Sequence, residues 1–154
     1  MMFSSLLLIP CLLHSTPLES RFDEIEGASK GRLGAAVVTA KSSHFHRREE
    51  RFSLQSVMKL MVSMAAMEQV DKGRWKLDQK FDFKRSDLSI AHQPILKRLG
   101  SRKSIKISLA DLIDLAVTQS CSAATDFMIR KMGGVQAVNS FLARKGIKGM
   151  SVDR

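Results

Sequence analysis

Arg51-Phe52-Ser53-Leu54-Gln55-Ser56-Val57-Met58-Lys59-Leu60-Met61-Val62-Ser63-Met64-Ala65-Ala66-Met67 runs from a polar segment, through a serine, into a methionine-rich apolar stretch. Leu60, Met61, Met64, Ala65 and Met67 make the predicted helix apolar on most sides until Glu68, Asp71 and Lys72, and Gly73 stops it. A helix apolar nearly all round belongs in the interior of its domain. The methionines then read as core filling rather than as a cofactor site. Ser56 is the only serine in the chain with a lysine three residues on. If Ser56 begins the helix, Lys59 returns to the same face about one turn later. A serine hydroxyl is a weak nucleophile unaided, and a lysine in a low-dielectric site can lose its proton and accept the serine's. The same residues also fit a helix cap at Ser56 and a solvated Lys59, so the motif needs context.

Upstream, Phe3 to Leu13 is an apolar run too short to span a bilayer, and it matches the core of a secretory signal, with Ser15 as a small residue at a cleavage point. No Lys or Arg precedes it, which departs from a standard signal. The expectation is a signal peptide over residues 1–15 and a periplasmic or secreted protein. Pro17 to Gly27 predicts a helix, with Leu18, Phe22 and Ile25 at helical spacing. The β-branched, small-residue run Arg32 to Ala40 predicts a strand, the polar Lys41 to Ser43 a turn, and His44 to Phe52 a second strand completing a hairpin.

Downstream, Leu77 to Pro94 shows little periodicity and reads as a long loop. Ser108-Leu109-Ala110-Asp111 opens a helix running through Val117. Gln119-Ser120-Cys121-Ser122 is a short polar interruption, followed by helices over Ala123 to Met132 and Val135 to Lys145, closed by glycines.

Composition narrows the function. Across 154 residues, 44% hydrophobic and 26% charged content describe a globular chain. A formal charge of +10 suits an anionic partner, but Lys and Arg are scattered in ones and twos. With no Tyr and one Trp, stacking platforms for nucleic-acid bases are scarce, so no nucleic-acid partner is expected. Cys11 and Cys121 form no metal-binding spacing. His14, His44, His46 and His92 have no helical spacing to a carboxylate and read as surface or loop residues. Neither a metal nor any other cofactor is expected, and no stable membrane span.

Taken in order, Ser56-Val57-Met58-Lys59, the Asp87-Leu88 loop ending at Pro94, and Ser120-Cys121-Ser122 between two helices resemble the class A serine β-lactamases and their penicillin-binding relatives. Arg51-Phe52, Ala123-Ala124 and Gly133-Gly134 add to the likeness, which covers residues 16–154. The resemblance implies an α+β fold of the β-lactamase/transpeptidase type, with a helical core and an N-terminal β-hairpin of an incomplete antiparallel sheet. It implies Ser56 as the nucleophile that opens a β-lactam ring, Lys59 as its proton partner, Ser120 as the relay to the lactam nitrogen, and Ser122 as a substrate contact. The Ser56 N–H becomes half of an oxyanion hole.

Two departures qualify this. Cys121 and Ser122 stand where the family has Asp and Asn, and a hydroxyl lacks the reach and paired donors of an amide. Ser120 also fits a mere cap on the following helix. The family's glutamate loop and Lys-Thr-Gly strand are not in this sequence, which implies a part-length, monomeric and impaired β-lactamase-type hydrolase. A D,D-peptidase homologue, a non-catalytic remnant and a basic nucleic-acid binder are the alternatives.

Overall fold

The computed structural model describes residues 18–153, so the apolar run at Phe3 to Leu13, Cys11, His14 and Ser15 lie outside the described residues. The described residues divide into two compact units, residues 18–52 and 53–153.

In the first unit, α1 (Leu18–Ser29) precedes an antiparallel hairpin of β1 (Ala35–Val38) and β2 (Ser43–His46), with Val38 opposite Ser43 and Ala35 opposite His46. The turn is built by Thr39, whose hydroxyl accepts the Ser42 N–H at 2.9 Å while its N–H donates to the Ser42 carbonyl at 2.8 Å. The second strand is shorter than the expected His44 to Phe52. Arg47 adopts a left-handed φ of 51°, and the Glu50 N–H closes back on the Arg47 carbonyl at 3.0 Å, so the chain turns instead of extending. Of the three apolar residues expected on α1, only Phe22 is buried; Leu18 and Ile25 are exposed.

Charge fills the place of the missing apolar contacts. Glu26 receives the Arg47 guanidinium at 2.8 Å and the Leu33 N–H at 3.1 Å, and its Oε2 lies 2.8 Å from His46 Nε2. These bonds, Arg47 first and His46 second, hold the Glu26 carboxyl at about 2, well below its ordinary value. His44 Nδ1 lies 2.9 Å from Glu19. The sequence reads both histidines as ordinary surface or loop residues with no helical spacing to a carboxylate, and the structure places them on β2. They are paired because the contacts join α1 to β2 across 25 and 20 residues of sequence, which no local spacing reveals.

The second unit is organised on α2 (Met58–Asp71), which packs against α4 (Leu109–Thr118), α5 (Ser122–Met132) and α6 (Val135–Arg144). Val62, Ala65 and Ala66 of α2 meet Leu112, Leu115, Ala124, Met128, Val138 and Leu142 in a core from which water is excluded. The expectation of a helix covered all round needs correcting. Val57, Leu60 and Met64, one face at helical spacing, are 56%, 47% and 40% exposed. An apolar residue on every side of a helix cannot reveal which side is covered.

The expected loop from Leu77 to Pro94 is also corrected. It contains β3 (Lys80–Lys84), paired antiparallel with β4 (Ser104–Ser108), Phe83 opposite Ile105 and Phe81 opposite Ile107. Alternation explains both strands: Phe81 and Phe83 turn inward, the latter fully buried, while Lys80, Asp82 and Lys84 face water. Phe83 and Phe81 pack on Phe127 of α5, with ring centroids 5.2 and 6.0 Å apart. A short α3 (Ile95–Leu99) lies between the two strands in chain order.

Ser108 caps α4 as its sequence suggests, accepting the Asp111 N–H at 3.1 Å and donating to the Asp111 carboxylate. At the end of α5, Gly133 takes φ 98°, a left-handed conformation that leaves the Gly134 N–H able to reach the Ile129 carbonyl at 2.9 Å. After α6 the chain is clasped by Asn139, whose Nδ2 donates to the Val152 carbonyl and whose Oδ1 accepts the Val152 N–H, both at 2.8 Å.

Candidate active site

Ser56 sits in a 3-10 turn, Gln55–Val57, that leads directly into α2. It is therefore not the helix cap. The turn opens at Gln55, whose φ of 47° is unusual for a residue with a side chain. One turn on, Lys59 is only 7% exposed, so its amine is held in the interior rather than in solvent.

The other half of the site is the connection between α4 and α5. Cys121, wholly buried, donates its N–H to the Leu115 carbonyl at 2.9 Å, and its carbonyl accepts both the N–H and the hydroxyl of Thr125, at 3.2 and 2.9 Å. Anchored beside it, Ser120 adopts φ 51°. Non-glycine residues held in this region cost about 1–3 kcal/mol and persist where their surroundings over-determine them. Here the surroundings are the Cys121 anchor on one side and two side chains on the other.

Those side chains are Ser56 and Lys59. Lys59 Nζ donates to Ser56 Oγ at 3.0 Å and to Ser120 Oγ at 3.0 Å, and the two hydroxyl oxygens are 2.9 Å apart. Two neighbours in sequence and a third residue more than 60 positions away thus close a hydrogen-bonded triangle. The Ser120 hydroxyl does not cap α5; Cys121 occupies the cap position and makes no side-chain cap bond. Ser56 is exposed while Lys59 is buried, so an incoming electrophile can reach the hydroxyl with the amine behind it. Such a triangle can take a proton from an attacking hydroxyl and deliver one to a leaving group without solvent.

Ser122 is the first residue of α5 and is 4% exposed. Its N–H donates to the His92 carbonyl at 2.8 Å, which ties the β3–α3 loop to the front of α5. The same loop is held at its other end, where Asp87 meets Arg130 of α5 at 2.9 Å. Gln55 and His92 act here through backbone geometry and a carbonyl, features that side-chain chemistry in the sequence does not advertise.

Farther along α2, Glu68 lies in a pocket of charge formed by Lys72 at 2.7 Å and Arg144 at 2.5 Å. These two, Lys72 first, hold its carboxyl at about 2 and fasten α2 to α6. Among the described residues, Asp23, Glu26 and His46 gather metal-type donors within 4.8 Å of one another. Glu26 is already saturated by Arg47, His46 and a backbone N–H, so the group reads as an ion-pair knot.

Residues 17–154 match the sequence model of the β-lactamase enzyme family. The β-lactamase CTX-M-8 of Citrobacter amalonaticus is 31% identical over 163 residues, covering 100% of this chain and 55% of its own length. The β-lactamase Toho-1 of Escherichia coli is 30% identical over 139 residues, covering 89% of this chain and 46% of its own. Among solved structures, an ancestral class A β-lactamase superposes with a TM-score of 0.80 at 28% identity, over 89% of this chain and 52% of that one. The chain spans about half the length of the curated relatives it matches.

Proposed function

The chain belongs to the β-lactamase enzyme family, and from that premise we propose that it carries the acylating part of a serine β-lactamase site. The observation that supports this most directly is the triangle of Ser56, Lys59 and Ser120. In this reading Ser56 Oγ attacks the carbonyl carbon of a β-lactam. Lys59, in its neutral form, takes the hydroxyl proton. As the ring C–N bond breaks, Ser120 passes its proton to the departing nitrogen and recovers one from Lys59. The product is an ester on Ser56 and an amine in the opened ring, with all protons accounted for.

The Ser56 N–H, on the same residue as the attacking oxygen, supplies one oxyanion donor. Ser122 contacts the substrate side chain with a hydroxyl, where its relatives use an amide with paired donors. The substrate is a β-lactam, the working form is a monomer, and the location is the periplasm or the exterior, with residues 1–15 as the leader and residues 16–154 as part of the catalytic domain.

A fluorescent penicillin tests this. It should label the full chain at Ser56, and Ser56→Ala should abolish the label; labelling that survives the substitution would remove Ser56 as the nucleophile. Lys59→Arg should be nearly as damaging as Lys59→Ala, because a guanidinium stays protonated and cannot serve as a base. Retained labelling in Lys59→Arg would remove the lysine from proton transfer.

A further inference from the structure

Away from the triangle, a cleft of about 340 Å³ opens between α3 and β4, lined among others by Arg98, Arg102, Ser104, Lys106 and Asp111. In sequence the region reads Lys97-Arg98-Leu99-Gly100-Ser101-Arg102-Lys103-Ser104-Ile105-Lys106, with five cations and no acid in ten residues. The turn through Gly100 and the alternation of β4 bring three of them to one concavity. Ser56, Lys59, Ser120 and Ser122 are not part of it.

The cleft's charge is arranged rather than diffuse. Its acid, Asp111, is occupied by Arg98 at 2.8 Å and by the Ser108 hydroxyl, and both hold its carboxyl below the usual range, Ser108 more strongly. Lys106 reaches Asp82 at 2.8 Å on the neighbouring strand. Arg102 is held by backbone: its Nε donates to the Leu99 carbonyl at 3.2 Å and its Nη2 to the Arg98 carbonyl. Arg85 approaches the same turn, donating to the carbonyls of Gly100 and Arg102. The Arg98 and Leu99 carbonyls belong to the last turn of α3, whose carboxyl end attracts cations, and those of Gly100 and Arg102 belong to the turn that follows.

A guanidinium fixed by two carbonyls keeps its second terminal nitrogen for another partner and loses little side-chain freedom on binding one. Lys97 and Lys103 add positive charge in the same stretch of sequence. An oxyanion is the group that matches a pinned fork, a serine hydroxyl and a lysine on one wall. The volume lies at the small end of ligand pockets, about 300–1,000 Å³, which fits a headgroup rather than a folded polymer segment.

We infer that the α3–β4 cleft is a binding site for a phosphate-bearing small ligand or headgroup, separate from the Ser56 site. The shared chemistry is the phosphate, and the source is either a free diphosphate or an anionic lipid headgroup. The test uses the full chain with two probes: inorganic pyrophosphate followed by amide NMR, and vesicles of phosphatidylglycerol against phosphatidylcholine followed by co-sedimentation.

The expected result is saturable binding to at least one phosphate probe, with shifts concentrated in residues 98–111. Pyrophosphate binding assigns a free diphosphate, and phosphatidylglycerol binding alone assigns a lipid headgroup. Arg102→Gln should weaken binding at least tenfold, and Lys41→Gln, in the other unit, should leave it unchanged. Lys106→Gln should weaken it severalfold while leaving the α3 turn untouched, which covers the case in which Arg102→Gln fails to fold. The inference is overturned if neither probe binds saturably. It is equally overturned if Lys41→Gln weakens binding as much as Lys106→Gln does, since net charge alone would then explain the effect.

Discussion

The two units are held together by different physics. Residues 18–52 bury one large apolar side chain of α1, Phe22, and rely on a web in which Glu26, Arg47, His46, Glu50 and Arg32 pair with one another. Residues 53–153 close a continuous apolar core through α2, α4, α5 and α6, with charge confined to a few clamps such as Glu68 with Lys72 and Arg144. Apolar burial contributes about 25 cal/mol for each Å² and is insensitive to salt, whereas exposed ion pairs contribute little and are screened. The contrast teaches where the chemistry can stand: a strained Ser120 and a buried Lys59 are found in the unit whose core can hold them.

The strongest attempt to break this contrast is Phe83→Ala. Phe83 is fully buried between the β3–β4 pair and Phe127, so its removal should cost about 3–5 kcal/mol. Thermal melting followed by NMR should show signals of residues 53–153 lost together at a lower temperature, while residues 18–52 keep their shifts. A matched loss in both units would show that they fold as one.

The next test is acid. The folded Glu26 carboxyl titrates at about 2 against an ordinary 4.5. Its stabilising effect is therefore complete above about pH 4.5 and is lost as the pH falls through about 2. Glu68 follows the same course, but it is one clamp on a packed core. Lowering the pH through this window should disorder residues 18–52 before residues 53–153, and Glu26→Gln should produce the same loosening at neutral pH. An acid titration in which the second unit opens first would reverse the assignment.

The smallest effect is expected at Ser63. Its hydroxyl is buried in the α2 core and makes no hydrogen bond among the described residues. Burying such a group costs about 1–3 kcal/mol, so Ser63→Ala should raise stability by about 1 kcal/mol with no change in penicillin labelling. A destabilised variant would mean that the hydroxyl has a partner.

The α+β class and the serine–lysine spacing of the candidate site were legible in the sequence, and the pairing of elements around them was less so. Ser56 and Lys59 are three residues apart, and helical geometry alone brings them to one face. Ser120 entered through resemblance, since nothing local says that residue 120 meets residue 56. The β3 strand was legible and missed: Lys80-Phe81-Asp82-Phe83-Lys84 alternates strictly, but its turn-forming neighbours obscured a run only five residues long. The Glu26 web could not be read, because its partners lie 20 and 21 residues away on another element. The exposed face of α2 was hidden for a different reason, since uniform hydrophobicity carries no direction.

The clasp between Asn139 and Val152 has a consequence in time as well as in energy. A backbone amide secured by a side chain on α6 exchanges its hydrogen for deuterium only when that grip opens. Val152 is itself 2% exposed, so opening requires its side chain to leave the core as well. The Val152 amide should therefore exchange at the pace of α6 and not at the pace of the chain on either side of it, where Ser151 and Asp153 are exposed. One slow amide between fast neighbours would serve as a clock for how often the helical core of the second unit lets go.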